Sequence, residues 1–350
     1  MFEIKKGIVT RNLNTTGYCQ YVEVKYQDGD VGIAINFLDI NHEVKEGQEV
    51  LVNTTARVLQ LGTGGYDYIL PFEAFKNLSK GHIMKLRYTP LQFSVLTEEE
   101  KNPDLFDKVP NFNDIIVIVC ELHSMLLPLC IYLKEKVKGI KISVILNDWG
   151  MLNAKLSHNL EFLKENKFVD YIITCQEAFN GEFECINEIN SLIFSQSLGC
   201  DVAIISPLPG IVGTGTKFGF TSYKAVHVIE DVVRFGGRVV FPVRVSKNEK
   251  RQRHRFISHH SLTILNYVNC SVEIPIFDFE DKIFFAKIYK TLNNYRAKHT
   301  VAVVNEIDKM IVEKYKSIMS TMGRSYEQDC EYFLELFATA EYVSTKLKRR

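Results

Sequence analysis

The segment at residues 253–261 (RHRFISHHS) carries side chains that are well suited to chemistry. It contains three of the nine histidines of the chain, with two arginines and two serines. Histidine titrates near neutral pH and binds metals, arginine binds anions through its forked guanidinium, and serine can donate, accept or attack. The preceding residues 247–252 (KNEKRQ) are also highly charged, so a solvated basic turn is the alternative interpretation.

Polar residues also follow short apolar runs that we predict to be strands. Because these runs are β-branched and continuous, they are typical of a parallel sheet covered on both faces. The runs lie at residues 115–120, 140–146, 171–175, 202–205, 238–243 and 272–274. The first five are followed by ELHS at 121–124, ND at 147–148, QE at 176–177, PLPGIVGTGTKFG at 207–219, and Arg244. Such sheets bind ligands beyond the carboxyl ends of their strands, which predicts a ligand site at this edge.

The polar residues divide into predicted roles. His123 or His259 would act as general base, with Asp148 as the orienting carboxylate. The Arg244 guanidinium and the backbone amides of residues 213–216 would bind an anion. The predicted catalytic set is His123, Asp148, His259, His260 and Glu121. The predicted ligand-binding set is Gly213, Thr214, Gly215, Thr216, Arg244, His254, Arg255, Ser258, Lys85 and Arg87. We expect His123, Asp148 and one of His254, His259 or His260 to share a pocket.

The glycine-rich segment at 210–219 has the composition of an anion-binding loop but departs from both standard patterns. In G-x-x-x-x-G-K-[ST] the lysine follows the second glycine, whereas here Thr216 stands there and Lys217 comes one position late. If Gly213 and Gly215 are the first two glycines of G-x-G-x-x-G, the third should be at position 218, but it is at 219. No standard phosphate loop or dinucleotide fold is therefore predicted, and a tight surface turn is the alternative.

Two rhythms in the sequence predict two domains. Residues 1 to about 75 alternate apolar and polar in short runs between turn signals, which predicts a small antiparallel β-barrel like an oligonucleotide-binding barrel. From residue 114 onward strands alternate with helices, which predicts a mainly parallel, doubly wound α/β domain followed by C-terminal helices. The predicted domains are the barrel at 1–80, a link with edge strands at 81–113, and the α/β domain with a helical end at 114–350. Lys85 and Arg87 of the link are expected to point toward the cleft.

Composition argues against several classes of function. Lys+Arg and Asp+Glu are equal at 42 each, so no net charge attracts nucleic acid, and the barrel lacks a basic patch interleaved with aromatics. The eight cysteines contain no C-x-x-C pair, which favours a reducing cytoplasm. The apolar run at 115–133 includes Glu121 and His123, which a lipid-exposed helix would not tolerate. We expect a cytoplasmic protein with no membrane partner and no signal peptide, and leave open whether it forms a homo-oligomer.

Several motifs are shared with a known family. They are VNTTA at 52–56, LGTGG at 61–65, GHIMKLRYTPLQ at 81–92, ELHSM at 121–125, VGTGT at 212–216, RHR at 253–255, SHHSLT at 258–263 and STMGR at 320–324. The chain resembles the bacterial domain-of-unknown-function family 3866, a resemblance that implies a bacterial cytoplasmic protein and no particular reaction. Where the family pattern is TDGGALP, residues 147–153 are NDWGMLN. Asp148 is kept, but Trp149 replaces a glycine and would narrow the pocket.

Three hypotheses of function follow. The first is an enzyme that acts on a small anionic metabolite, bearing phosphate or carboxylate, at the cleft beyond the strand ends. The second is a non-catalytic metabolite-binding or regulatory module that uses the same cleft. The third is a hydrolase that depends on a divalent metal held by His123, Asp148 and His259 or a neighbouring histidine, although no H-E-x-x-H spacing supports it. The absence of G-x-S-x-G counts against a serine hydrolase of the α/β class.

Overall fold

The computed structural model describes residues 3–58, 65–71, 81–88, 92–148, 150 and 152–347. The chain divides into two compact units, Met1–Ser79 and Lys80–Arg350. The expected effect of Trp149, and the parts of two family motifs at 61–64 and 89–91, lie outside the described residues.

The first unit contains a closed barrel of five strands, as the sequence predicts. The strands are β1 (Ile4–Thr15), β2 (Cys19–Tyr26), β3 (Val31–Phe37), β4 (Glu49–Asn53) and β5 (Tyr66–Ile69), with a short helix α1 (Thr55–Val58) between the last two. Their order around the barrel is β1-β2-β3-β5-β4, and the pairing of β1 with β4 closes it. All pairs are antiparallel except β3 with β5.

Strict alternation explains the barrel. On β2, Val22, Val24 and Tyr26 are buried, while the residues between them are more exposed. A period of two places one set of side chains in the interior and the other outside, so the register is fixed by the apolar set. The Tyr26 hydroxyl donates to Asp67 at 2.6 Å, and Arg57 pairs with the same carboxylate at 2.9 Å.

The second unit begins with small elements and continues into one large sheet. The small elements are the paired strands β6 (Ile83–Lys85) and β7 (Phe93–Val95) and the helices α2 (Glu98–Lys101) and α3 (Pro103–Phe106). The sheet strands are β8 (Ile116–Val119), β9 (Ile142–Asp148), β10 (Tyr171–Gln176), β11 (Phe183–Glu184), β12 (Val202–Ser206), β13 (Arg238–Val240), β16 (Glu273–Phe277) and β17 (Thr300–Val304). The order is β11-β10-β9-β12-β8-β13-β16-β17, and every pair is parallel.

Helices cover both faces of this sheet. They are α4 (Leu126–Lys136), α5 (His158–Glu165), α6 (Glu188–Ser197), α7 (Ala225–Arg234), α8 (His259–Tyr267), α9 (Lys282–Asn293), α10 (Lys309–Tyr315) and α11 (Cys330–Leu347). On β8, Val117 and Val119 face a core shared with α6–α9, whereas Ile116 and Ile118 face the core shared with α4, α5, α10 and α11. Burial on both faces explains why the strand is a continuous apolar run, and it confirms the predicted α/β class.

Two short hairpins lie outside the sheet. They are β14 (Val245–Ser246) with β15 (Phe256–Ile257), and β18 (Ser320–Thr321) with β19 (Arg324–Ser325). Among the described residues, no helix combines the length and apolar character that crossing a membrane requires.

The topology creates a crevice at the end of β8. This central strand continues into α4 on one face, whereas its neighbours β12 and β13 lead to α7 and α8 on the other. Connections that leave a parallel sheet on opposite faces open a gap beyond the carboxyl ends of the strands, where ligands of α/β proteins bind.

Candidate functional site

Three histidines meet on the α8 side of this crevice. We name His254, His259 and His260 the histidine cluster. One ligand-capable atom of each lies within 4.8 Å of those of the other two. The ring centroids are 4.9 Å apart for His254 and His259, 4.8 Å for His254 and His260, and 4.3 Å for His259 and His260. Among the described residues, this is the one group of three or more side chains suited to hold a metal ion.

Local structure brings these rings together. His254 ends a 3-10 turn at Gln252–His254, and β15 then carries the chain to Ser258, the N-cap of α8. The Ser258 hydroxyl oxygen accepts the backbone N–H of His260 at 3.2 Å, as an N-cap side chain does. The same oxygen lies 2.9 Å from Nδ1 of His254, whose N–H donates to it. One serine therefore both begins the helix and orients a cluster ring.

An aromatic side chain from a distant segment fixes the third ring. Phe220 stacks on His260 with centroids 3.9 Å apart and planes 8° from parallel. Gly213 lies against the same ring, since a Cβ placed on it would stand 3.8 Å from Nε2 of His260. The histidine cluster is thus packed from one side by the glycine-rich segment that precedes α7.

Two ring nitrogens of the histidine cluster have no protein partner in the described part of the chain. Nε2 of His259 and Nδ1 of His260 are buried and have no hydrogen-bond partner among the described residues. His260 is 7% exposed, and His259 is half-buried. Buried polar atoms nearly always have partners, so each such atom calls for an explanation.

All three cluster histidines are neutral near pH 7. Burial lowers the pKa of His254 and of His260 to about 3, and nearby positive charge, including that of Arg244, acts in the same direction. Burial also lowers the pKa of His259, with Arg253 and Arg244 contributing. A neutral imidazole has a lone pair free to accept a proton or bind a metal.

Glu121 lies behind the histidine cluster at the end of β8 and is fully buried. One of its carboxylate oxygens accepts the Ser261 hydroxyl, and Ser261 in turn accepts the backbone N–H of Arg244 at 3.0 Å. Burial raises the pKa of Glu121 to about 7, although Arg244 and hydrogen bonds from Ser261 and Ser258 oppose the shift. This carboxylate therefore joins β8, β13 and α8 at the crevice.

Arg244 belongs to a buried ion-pair network. Its guanidinium donates to Glu249 at 3.1 Å, and both side chains are 4% exposed. Arg251 and Arg324 pair with the same carboxylate at 3.1 and 3.5 Å. Although burial acts to raise it, the pKa of Glu249 falls to about 2, because the hydrogen bonds and charge of Arg251, with Arg324, prevail. The predicted anion clamp is thus already occupied by a protein carboxylate.

Arg253 differs from Arg244 because no carboxylate of the described residues forms an ion pair with it. Its Nε donates to Nε2 of His254 at 3.2 Å, and a Cβ on Gly215 would stand 3.1 Å from its Nη1. None of the ion pairs formed within the described ranges includes this exposed arginine. Arg255 points away toward solvent over the ring of Phe256, 5.7 Å from its centroid.

The segment at 212–221 is a hairpin turn. Gly213 and Phe220 form an antiparallel bridge, and the Thr214 N–H donates to the Gly219 carbonyl at 2.7 Å. The hydroxyls of Thr214 and Thr216 lie 2.9 Å apart on the exposed side. The alternative of a tight surface turn therefore describes its shape, and the turn stands beside the histidine cluster.

His123 and Asp148 tie loops together at the neighbouring strand ends. Nδ1 of His123 donates to the Pro207 carbonyl at 3.1 Å, and Nε2 accepts the Ser157 hydroxyl at 2.6 Å. Burial lowers the pKa of His123 to about 4. Asp148 accepts the N–H of Leu208 at 3.3 Å, so both residues hold the loop after β12. Neither belongs to the metal-capable group found among the described residues.

Lys85 and Arg87 contact the loop after β10. The ammonium of Lys85, which is 1% exposed, donates to the Gln176 and Ala178 carbonyls at 2.5 and 2.9 Å. Arg87 is mostly exposed and lies 4.0 Å from Glu177. Both residues therefore contact a loop at the carboxyl end of a sheet strand, and their orientation toward the cleft stays a prediction.

Residues outside the predicted sets complete the site. Phe220, Ser261, Glu249 and Arg253 contact members of the predicted sets directly. Arg253 and Ser261 lie inside the histidine-rich segment and were within reach of sequence reasoning. Nothing in the local sequence marks Phe220, because its role depends on the hairpin that folds it onto His260.

The barrel, the parallel sheet with helices on both faces, and the polar cluster at a strand-end crevice define a two-unit protein with an α/β core. The chain belongs to the family described as "Protein of unknown function (DUF3866)", whose family model matches residues 33–340. This match confirms the resemblance seen in the motifs. A search of curated proteins finds no match to the chain.

The family motifs meet around the histidine cluster. Ser124 of the ELHSM motif lies 2.9 Å from the hydroxyl of Thr321 in the STMGR motif. Met322 of that motif contacts Arg244 at 3.1 Å from sulfur to Nη2. Together with the contacts of Glu121 to Ser261 and of Gly213 to His260, these place four motifs within one site.

Proposed function

We propose that the protein is an enzyme that acts on a small anionic metabolite, bearing phosphate or carboxylate, at the histidine cluster. One observation carries the proposal. Neutral imidazoles with unpartnered nitrogens stand beside Arg253, whose charge no carboxylate balances among the described residues. Polar groups that the fold leaves unsatisfied at a strand-end crevice are typical of a ligand site.

His259 is the candidate general base. It is half-buried, its pKa is lowered by burial, and its Nε2 has no protein partner within the described part of the chain. A base must be neutral and must reach the substrate proton. His259 is neutral, and its side chain is less buried than that of His260.

Arg253 is the candidate anion-binding residue. Its guanidinium lies against Gly215 at the exposed side of the histidine cluster, where a forked donor can bind a phosphate or carboxylate through two parallel hydrogen bonds. The hydroxyls of Thr214 and Thr216 border the same side and provide further donors. Arg244, bound to Glu249, supplies positive charge from behind.

Glu121 supports this arrangement from the interior. Its carboxylate accepts a hydrogen bond from the Ser261 hydroxyl. A hydrogen bond from Ser258, which also orients His254 and caps α8, acts to lower its pKa. It is a positioning residue, since it is fully buried. The eight free cysteines support the cytoplasm as the compartment of this activity.

A substrate screen with a matched pair of arginine variants tests the proposal. Purified protein is assayed for turnover against metabolites that carry a phosphate or a free carboxylate group, and any hit is repeated with Arg253→Gln and Arg255→Gln. We expect Arg253→Gln to lower kcat/KM by roughly 100-fold, as loss of a charged contact to substrate does. Arg255→Gln, two residues away and pointing to solvent, should change it less than about two-fold.

Two results would overturn the enzyme proposal. Equal effects of the two arginine variants would remove the assigned anion site. Saturable binding of a metabolite without turnover under any condition of the screen would favour the non-catalytic binding module instead.

A further inference from the structure

We propose that His254, His259 and His260 form a binding site for one divalent transition metal ion of the zinc class. The ligand atoms are Nε2 of His254, Nε2 of His259 and Nδ1 of His260. This set replaces the predicted one, in which His123 and Asp148 were ligands. The inference goes beyond the proposed function and changes one role in it. A metal ion bound at Nε2 of His259 would occupy the lone pair assigned to the general base, so in the metal-bound protein a water at the open coordination position would take over that role.

The geometry of the histidine cluster suits a metal ion. One ligand-capable nitrogen of each histidine lies within 4.8 Å of those of the other two, and two ligands of a tetrahedral zinc ion are separated by roughly 3.3 Å. Metal binding therefore requires these nitrogens to approach one another by up to about 1.5 Å. Imidazole is a common ligand of zinc, copper, iron and nickel, and three protein ligands leave a coordination position open for water or substrate.

Unpartnered nitrogens distinguish the histidine cluster from other buried histidines of the chain. His123 uses both ring nitrogens, for the Pro207 carbonyl and the Ser157 hydroxyl. His299 does the same, with Nε2 donating to the Leu265 carbonyl at 2.9 Å and Nδ1 accepting the Val272 N–H at 3.3 Å. In His260, by contrast, Nδ1 is buried without a partner among the described residues, although the side chain is just as inaccessible. A metal ion bound between the rings would give this nitrogen a partner.

The surroundings hold the rings in ligand orientation. The Nδ1–H of His254 donates to Ser258, so its Nε2 lone pair is the one available. Metal-binding histidines commonly donate their second N–H to an oxygen that fixes the tautomer. Behind the serine lies Glu121, a buried carboxylate that offsets part of a metal's charge. Phe220 holds the plane of His260 by stacking.

Arg253 occupies one ligand atom in the metal-free protein. Its Nε donates to Nε2 of His254 at 3.2 Å, so a metal ion must displace it. The side chain is exposed, so it can move away from His254. Because Arg244, Arg251 and Arg253 disfavour a bare dication, an anion on the metal relieves the repulsion. Inorganic phosphate should therefore raise the metal affinity.

Cobalt and zinc titrations of the full-length, tag-free protein test the site. After EDTA treatment and dialysis, zinc binding is measured by calorimetry and metal content, with and without inorganic phosphate. Cobalt(II) is used as a spectroscopic probe of coordination. We expect one equivalent of zinc, a tetrahedral or five-coordinate cobalt spectrum without thiolate charge-transfer bands, and tighter binding in phosphate.

Histidine variants assign the ligands. His254→Ala, His259→Ala and His260→Ala should each weaken zinc binding by about 100-fold or more, because losing a ligand costs more than losing a hydrogen-bond partner of a ligand, which lowers metal affinity by roughly 10- to 100-fold. His42→Ala, an exposed histidine of the barrel unit, is the matched control and should leave binding unchanged. Thermal unfolding of the metal-free variants checks the fold. His259, which is half-buried and not stacked on Phe220, provides the variant that disturbs packing least.

Clear outcomes would overturn the site. Zinc below one equivalent in the folded protein, thiolate bands in the cobalt spectrum, or equal losses in His42→Ala and the cluster variants would each reject it. The proposed function fails separately. Arg253→Gln should retain zinc while its kcat/KM falls. Turnover that persists in metal-free protein would reject only a catalytic role of the metal, not the enzyme. Stoichiometric zinc without any turnover rejects the enzyme alone.

Discussion

Two groups of polar side chains lie at the same sheet edge, but they differ in how completely their atoms are hydrogen-bonded within the protein. At the ends of β9 and β10, Lys224 donates to the Asn147 carbonyl, and the Asn147 and Gln176 side chains both donate to Glu188, at 2.8 and 2.9 Å. With His123, this group is bonded within the protein. The histidine cluster instead keeps two buried nitrogens without partners among the described residues. Position at a strand end therefore identifies polar residues, but the state of their hydrogen bonds separates structural ties from a ligand site.

The largest expected effects come from replacing one hydrogen-bonded histidine and one cluster histidine by alanine. His123→Ala removes a buried ring together with its hydrogen bonds to the Pro207 carbonyl and the Ser157 hydroxyl and leaves a cavity, so we expect the free energy of unfolding to fall by about 3 kcal/mol. Zinc binding per folded molecule should be unchanged. His260→Ala should do the reverse, with a loss of about 1 kcal/mol and a large loss of zinc affinity. Urea unfolding and calorimetry measure both quantities, and loss of zinc binding in His123→Ala would break the comparison.

Glu335 sharpens the comparison, because it also has an unpartnered buried oxygen. It lies in α11, accepts the Phe277 N–H at 3.0 Å, and its Oε1 has no partner among the described residues. Burial raises its pKa from 4.5 to about 8, so the folded protein keeps it protonated at neutral pH. The unfolded chain releases that proton above pH 4.5, so stability falls as pH rises toward 8.

Glu335→Gln should remove this pH dependence. At pH 8 we expect the variant to be more stable than the parent by about 2 kcal/mol, less than the full shift implies because the amide also lacks a partner. At pH 5 the two should be nearly equal. Denaturant unfolding at both pH values measures the difference. A parent protein that gains stability between pH 5 and 8 while the variant does not would contradict the assigned protonation.

The smallest expected effect separates two glycines of the hairpin beside the histidine cluster. Gly215 has φ of +82°, and a Cβ there would press on Arg253 at 3.1 Å, whereas a Cβ on Gly213 meets only ordinary contacts from 3.6 Å outward. Gly215→Ala should cost about 1 kcal/mol and weaken phosphate binding several-fold, while Gly213→Ala should be nearly neutral. Phosphate titration of the two variants checks this, and equal effects would detach the hairpin from the anion site.

Much of the fold could be predicted from the sequence because the burial of a strand determines the spacing of its apolar residues. The run at Ile116–Val119 is apolar at every position because both sheet faces are covered, and β2 alternates because only one face is. Edge strands escaped the prediction. β11 is only two residues long and leaves no apolar run. β17 does contain the apolar run VAVV at 301–304, but this run lies in the region that was assigned to C-terminal helices.

The site could be predicted only as a collection of side-chain types. The histidine-rich segment was identified because its composition is unusual for a loop. The bonding of each ring could not be predicted, since the partners of His123 are a serine hydroxyl and a backbone carbonyl from distant loops. The ion pair between Arg244 and Glu249 could not be predicted either, because the side chain of a nearby loop residue can point toward Arg244 or away from it.

The histidine cluster comes entirely from residues 254–260, whereas the sheet brings together strands from far apart in the chain. An unfolded chain therefore still holds the three imidazoles within a few residues of one another. A metal ion would bind this denatured segment as well, though more weakly than the folded site. Because stabilisation depends on the difference between the two affinities, zinc should raise the melting temperature by less than its affinity for the native protein suggests.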